Sequence, residues 1–374
     1  MKKIIHFSLA DTKSGITQYV LNNWEYIDKS RYQFDVVTFG GKLEFQELLE
    51  AEGCRVFYVR YRAEEQPDEF RKEILQILKN RYDAVHLHTS YWKSFELEKL
   101  ARQAGVPKII VHSHNTGVFD DIGRNAKEEQ HYKLRSELTP DIATDYWACS
   151  ELAARWLYAD KIIPEKIQIL KNAVNIDRFI YNRAVRTAYR TRLRWDDSFI
   201  IGHVGRFSYQ KNHEFLIKVF CKLTQIHEEV RLLLIGKGVL EKQIRTMAEE
   251  YGLSDKVYFT GACDDVNCWF QAMDLFCLPS RFEGFPIVAV EAQAGGVPSI
   301  LSSTITQEAK IVENVTFIPL CEDEWINKIE EEIERDLSRN VQERMMASQM
   351  LKQQGYDLKD SVKELERLYE DTAN

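Results

Sequence analysis

A chain of 374 residues, 44% hydrophobic and 29% charged, is too long for one ordinary core and reads as two globular domains. Its net charge of −8 is uneven, with 26 Lys and Arg against 27 Asp and Glu in residues 1–180 and 24 against 31 in the rest, so nothing favours nucleic acid as a partner. Seven scattered cysteines lack framework or zinc spacing, which points to a reducing compartment and away from a metal site. The start, Met1-Lys2-Lys3-Ile4, reads as a first strand rather than a leader. No segment approaches the ~20 apolar residues of a membrane span. The expected location is therefore the cytosol.

Strand-like runs at 3–7, 34–39, 55–59, 84–88, 108–111, 146–148 and 167–170 alternate with helical stretches. That is the pattern of a mostly parallel sheet covered on both faces. A second series at 199–204, 231–235, 256–259, 275–278 and 299–301 repeats it. The fold class is thus α/β, with two doubly wound Rossmann-like domains in tandem, residues 1–175 and 176–355. The boundary falls near 172–177, followed by an Arg-rich polar segment, 181–194. Residues 322–374 are helical in pattern, and Leu358, Val362, Leu365 and Tyr369 form an apolar stripe, but most of the segment reads as a solvated tail. Ligands of open parallel sheets bind beyond the carboxyl ends of the strands, so the expected site is a cleft across which the two domains face each other.

Candidate residues follow the strand ends. After the first strand, Asp11-Thr12-Lys13-Ser14-Gly15 precedes a helical run, and Gly15 would let backbone approach a phosphate. An ordinary strand-to-helix turn explains it equally well. At 109–117, alternation points His112 and His114 the same way and Ser113 the opposite way. His114, nearer the carboxyl end, is a candidate for holding hydroxyls, although a lone histidine is more often structural; His86 and His88 read as structural.

In the second half, Gly205, Arg206 and Lys211 follow a strand and offer two cations for a departing diphosphate. A surface ion pair is the competing reading. Gly236, after the next strand, would place backbone near a nucleotide. Finally, Ser280-Arg281-Phe282-Glu283-Gly284-Phe285-Pro286-Ile287-Val288 runs on to Glu291, with Pro286 expected as the first helical residue. Free amides of that first turn would lie between the Glu283 and Glu291 carboxylates and could cradle a phosphate. Eight residues span about 12 Å if helical, too far for two carboxylates acting on one glycosidic bond, so the hydrolase reading loses ground. No Asp-x-Asp occurs, which leaves Arg206 and Lys211 as the natural substitutes for a divalent metal.

Gly205-Arg206 with Lys211, and Glu283 with Glu291, resemble the donor-site motifs of retaining glycosyltransferases of family 4, whose fold is called GT-B. Ser14-Gly15-Ile16 stands at the family's N-terminal glycine pair, with Ser14 replacing the first glycine. Ser113-His114-Asn115 stands at its active-site histidine. The segment 170–179 is similar to its interdomain hinge, with Ala173 and Asn175 in place of the usual Gly and Asp. Residues 16–37 and 298–316 resemble bacterial enzymes of exopolysaccharide or capsule assembly.

The resemblance implies that Arg206 and Lys211 hold the donor diphosphate, Glu291 the ribose and Glu283 the sugar hydroxyls. The amides of Gly284, Phe285, Ile287 and Val288 around Pro286 would line sugar and phosphate. Gly15 would meet the diphosphate, and His114 the sugar near the reacting carbon. Its implications extend to a C-terminal helix of about 356–374 crossing back to the first domain, a UDP-sugar donor, no metal or other cofactor, and a saccharide or lipid-diphosphate-linked acceptor. Peripheral contact with the inner membrane face would accompany such an acceptor; the run Gln130-His131-Tyr132-Lys133-Leu134-Arg135 could supply it, although a solvated helix face explains that run better. An epimerase or phosphorylase of the same architecture, or a catalytically silent nucleotide-binding subunit, would use similar contacts.

Overall fold

The computed structural model describes residues 1–10, 14–118, 123–335 and 341–371; Asp11, Thr12 and Lys13 of the first candidate loop lie outside them. The chain forms two compact units. The first comprises Met1–Val118, the residues up to Asn172 and the stretch from Leu358; the second is Ala173–Asp357.

In the first unit seven strands pair in parallel: β1 (Lys2–Leu9), β2 (Tyr32–Thr38), β3 (Val56–Tyr58), β4 (Ala84–Thr89), β5 (Lys108–Ser113), β6 (Asp145–Ala148) and β7 (Ile167–Ile169). Their order is β3-β2-β1-β4-β5-β6-β7. Strands such as β1, with consecutive Ile4 and Ile5 both fully buried, are apolar on both faces because helices cover both. The order reverses between β1 and β4, which makes their carboxyl ends a switch point.

In the second unit the strands are β8 (Phe199–Val204), β9 (Val230–Ile235), β10 (Val257–Gly261), β11 (Leu275–Leu278), β12 (Ser299–Ser302) and β13 (Val315–Ile318). They run in the order β10-β9-β8-β11-β12-β13, again all parallel. Here the reversal lies between β8 and β11. Ile201, Leu232, Leu234, Phe220 and Trp325 meet in the core against this sheet.

Two expectations change. The segment from 322 is not a solvated tail. Helix Glu322–Glu334 buries Trp325, Ile326 and Ile329, and helix Val341–Gln353 buries Ala347 and Leu351. Helix Leu358–Glu370 buries Leu358, Val362, Leu365, Leu368 and Tyr369 within the first unit. An apolar stripe at helical spacing has to be covered, and these are. The Arg-rich segment is also more than polar surface. It forms helix Arg183–Leu193, from which Arg186 and Arg190 reach the buried Asp274 carboxylate at 2.5 and 2.9 Å, while the Ile200 amide donates to it at 2.8 Å.

Candidate functional site

The loops leaving β8 and β11, at the switch point of the second unit, carry most of the candidate residues, and hydrogen bonds lace them together. The Arg281 amide donates to the Gln210 carbonyl at 2.8 Å, and the Arg281 guanidinium donates to the Tyr209 carbonyl at 2.7 Å. At the centre, Lys211 Nζ lies 2.6 Å from Glu283 Oε1. The same carboxylate accepts from Ser280 Oγ at 2.8 Å and, through Oε2, from Gln210 Nε2 at 3.1 Å. Side-chain exposure is 14% for Lys211 and 9% for Glu283, so the pair is held largely out of water and its geometry is fixed from three sides.

Motif resemblance assigns Lys211 and Glu283 separate partners; the structure joins them to each other. Gln210 and Ser280, which aim Glu283, had no role assigned from sequence, because their contacts depend on two strands 70 residues apart becoming neighbours. Arg206 is exposed beside this pair in the chain.

Glycines in these loops are explained by close approach. A Cβ on Gly205 would sit 3.0 Å from Lys211 Cδ and 3.1 Å from His203 Nε2. Gly236 has φ +137°, and a Cβ there would lie 2.1 Å from the Gly205 carbonyl oxygen. Gly236 is therefore required by the packing of the β9 loop on the β8 loop, a reason internal to the protein and independent of any nucleotide. Behind the same loop, His203 Nε2, Ser208 Oγ, Asn212 Oδ1 and both nitrogens of His213 are buried without a hydrogen-bond partner among the described residues. Burial keeps both rings neutral, pushing His203 down to about 3.

After β11, helix Ile287–Ala294 begins one residue later than expected. Pro286 has φ −74° and ψ 110°, so it is extended and serves as the cap, and Ile287 is the first helical residue. The ring fixes φ alone; ψ decides the boundary. Gly284 is buried, Phe285 is buried with its ring stacked 6.0 Å from Tyr356, and Ile287 and Val288 are half-buried. The Ala289 amide donates to the Pro286 carbonyl at 3.0 Å, whereas the Ile287 and Val288 amides precede any intrahelical acceptor, so this terminus can receive an anion. Glu291 lies in the second turn, where burial pushes its carboxyl up to about 7 against the pull of Arg178 and Lys211. Arg178 was not anticipated.

In the first unit, Gly15 opens helix Gly15–Tyr26, whose cap is Ser14: its Oγ accepts from the Thr17 amide at 3.3 Å. Capping gives a serine at this position its own physical reason. A Cβ on Gly15 would meet nothing within 4 Å, so no described neighbour demands a glycine there. His114 follows the last residue of β5, and its amide donates to the Thr89 carbonyl at 3.0 Å. The rings of His112 and His114 are 4.0 Å apart, while Ser113 points away and donates to the Ala153 carbonyl at 2.8 Å. His114 Nε2 lies 2.8 Å from His88 Nδ1, and burial lowers its pKa to about 3.

Residues 185–353 match the model of the glycosyl transferases group 1 family, and residues 14–173 match that of a glycosyl transferase 4-like domain. The Bacillus subtilis (strain 168) protein EpsF, named as a glycosyltransferase, is 32% identical over 98% of this chain and 96% of its own. The Escherichia coli UDP-Gal:alpha-D-GlcNAc-diphosphoundecaprenol alpha-1,3-galactosyltransferase is 26% identical, over 80% of this chain and 79% of its own. Among solved structures, Anabaena HepE in complex with UDP-glucose is similar with a TM-score of 0.81 and 20% identity, covering 98% of this chain and 99% of that one. That likeness shows a common fold, GT-B, with two Rossmann-like domains.

Proposed function

Because this chain belongs to the group 1 glycosyl transferases, we propose that it moves a hexose-type sugar from UDP to a saccharide or lipid-diphosphate-linked saccharide in cell-surface polysaccharide synthesis, with retention at the anomeric carbon. The observation that carries this reading is the buried Lys211–Glu283 pair at the β8/β11 switch point. It puts a cation and a hydroxyl acceptor within one hydrogen bond of each other, where a sugar and its diphosphate have to be gripped together.

Lys211 keeps further protons beyond the one directed at Glu283, and with Arg206 it offsets charge on the diphosphate as the bond to the sugar breaks. Glu283, aimed by Ser280 and Gln210, accepts from sugar hydroxyls. Glu291 accepts from the ribose hydroxyls, and the amides of Gly284, Phe285, Ile287 and Val288 around Pro286 receive phosphate and sugar oxygens. In the first unit, Gly15 is assigned to diphosphate and His114 to sugar. The departing phosphate takes the acceptor proton, so no protein base is assigned. Arg206 and Lys211 serve in place of a divalent metal. A UDP donor is supported by the HepE complex and by the name of the E. coli enzyme, and a lipid-diphosphate acceptor by that name. Such an acceptor would bring the protein to the inner membrane face; no described helix is long and apolar enough to cross a membrane.

Thermal shift with a panel of UDP-sugars tests the donor, since a ligand at about 100 times its Kd stabilises by about 2.7 kcal/mol. One UDP-hexose shifting well above UDP alone supports the reading; no shift with any uridine nucleotide refutes it.

A further inference from the structure

Five of the nine histidines of the chain gather in one layer of the first unit: His6 on β1, His86 and His88 on β4, and His112 and His114 at the end of β5. Strand register brings them together, with His6 beside His86 and His88 beside His112. Tyr19 lays its ring edge-on to His88, His112 and His114 from helix Gly15–Tyr26. Two hydrogen-bonded files run through the layer. One is Tyr369–His86–His112, with contacts of 2.7 and 3.1 Å. The other is His6 Nδ1 to His88 Nε2 at 2.9 Å, then His88 Nδ1 to His114 Nε2 at 2.8 Å.

A neutral imidazole has one donor and one acceptor, so the second file can run in only two senses. Either each ring donates from Nδ1 toward His114, or each donates from Nε2 toward His6. The far end decides between them. His6 Nε2 is buried with no partner among the described residues. In the first sense it is a bare lone pair; in the second it is a bare N–H, which is the rarer orphan in protein interiors. The first sense leaves His114 protonated at Nδ1, the ring nitrogen His88 does not engage, on the one member of the file that is partly exposed.

We propose that His6 and His88 are positioning residues whose file fixes His114 as the Nδ1–H tautomer, so that it presents a permanent hydrogen-bond donor to a sugar oxygen. The step rests on the reading of His114 as a sugar contact. Burial keeps His6 and His114 near 3 and His88 well below its ordinary value, so the file stays uncharged and its sense is not scrambled by an extra proton. The ligand atoms of His6, His86 and His88, and those of His88, His112 and His114, also lie within 4.8 Å of one another. The contacts of 2.8 and 2.9 Å are nevertheless those of hydrogen bonds. Ligands around tetrahedral zinc at ~2.0–2.1 Å would stand about 3.3 Å apart.

The test is long-range proton–nitrogen NMR on the full chain labelled at histidine with 15N, with His114 assigned from the spectrum of His114→Gln. Wild type should show His114 protonated at Nδ1, unchanged between about pH 6 and 8. In His88→Leu the tautomer should become mixed and kcat for UDP-sugar turnover fall about tenfold, with donor KM little changed. His88→Asn keeps an amide N–H where Nδ1 lies and should restore both. A wild-type His114 protonated at Nε2 or mixed between tautomers overturns the proposal, as does a stoichiometric zinc ion retained on these histidines. The wild-type spectrum decides even if His88→Leu does not fold. If His114→Gln transfers sugar normally while the wild-type tautomer is Nδ1–H, the sugar contact fails and the file stands.

Discussion

Removing Lys211 and Glu283 singly and then together should separate stability from turnover. Each side chain is at least 86% shielded from water, so removing one partner leaves a charge that solvent reaches poorly. Breaking such a pair from one side costs ~3–5 kcal/mol. Glu283 keeps Ser280 and Gln210, so Lys211→Met falls at the lower end; ~3 kcal/mol is ~6–12 °C in Tm for a unit of this size. Glu283→Gln should cost less, because the amide still accepts from Lys211. The double variant replaces an ion pair by neutral groups and should regain most of the lost stability. Turnover should not return: loss of the cation alone costs ~10²–10³ in kcat. Thermal melts and initial rates on all three variants read both quantities. A double variant no more stable than Lys211→Met would refute the coupling, and a double variant with near-normal turnover would refute the assignment of the site.

Three further outcomes follow from other residues. Glu291→Gln should weaken UDP binding ~10–100-fold by calorimetry. Since burial places the Glu291 carboxyl at about 7, the Glu291-dependent part of the affinity should grow as pH rises through that value and vanish in the variant. Gly236→Ala pushes a Cβ against the Gly205 carbonyl at 2.1 Å and should lower Tm and UDP affinity together; normal binding would show that the β8 loop tolerates displacement. The histidine layer should make the protein acid-labile. His6 and His114 titrate near 3 when folded, and His86, His88 and His112 well below the ordinary value. When unfolded all five take protons from about 6.5 downward. Stability is then full above about pH 6.5 and lost toward about 3, at ~1.4 kcal/mol per pH unit per histidine. A urea midpoint unchanged between about pH 7.5 and 5.5 would contradict this.

Much of the fold was legible because buried parallel strands announce themselves as short apolar runs. β8 and β11 have the bounds read from sequence, and the loops after them carry the charged residues expected there. β13 escaped notice: in Val315–Ile318 the polar Thr316 interrupts the apolar run, and a charged helical stretch follows. Pro286 misled by one residue because sequence shows its φ and not its ψ. What could not be read was partnership. Lys211 and Glu283 are 72 residues apart, and His6 and His88 are 82 apart; each pair becomes adjacent only through strand order, which no local pattern encodes. Gln210 and Ser280, whose only signal was a place in the same two loops, went unassigned for that reason.

The most direct measurement is transfer of radiolabelled hexose from UDP-hexose to GlcNAc-diphosphoundecaprenol, the acceptor class in the name of the E. coli relative, with the anomeric configuration of the product read by NMR. We expect a product with the donor's anomeric configuration, formed in the presence of a chelator and slowed ~10²–10³-fold in Lys211→Ala. A product of inverted configuration, or undiminished transfer by Lys211→Ala, would contradict the function proposed for the Lys211–Glu283 site.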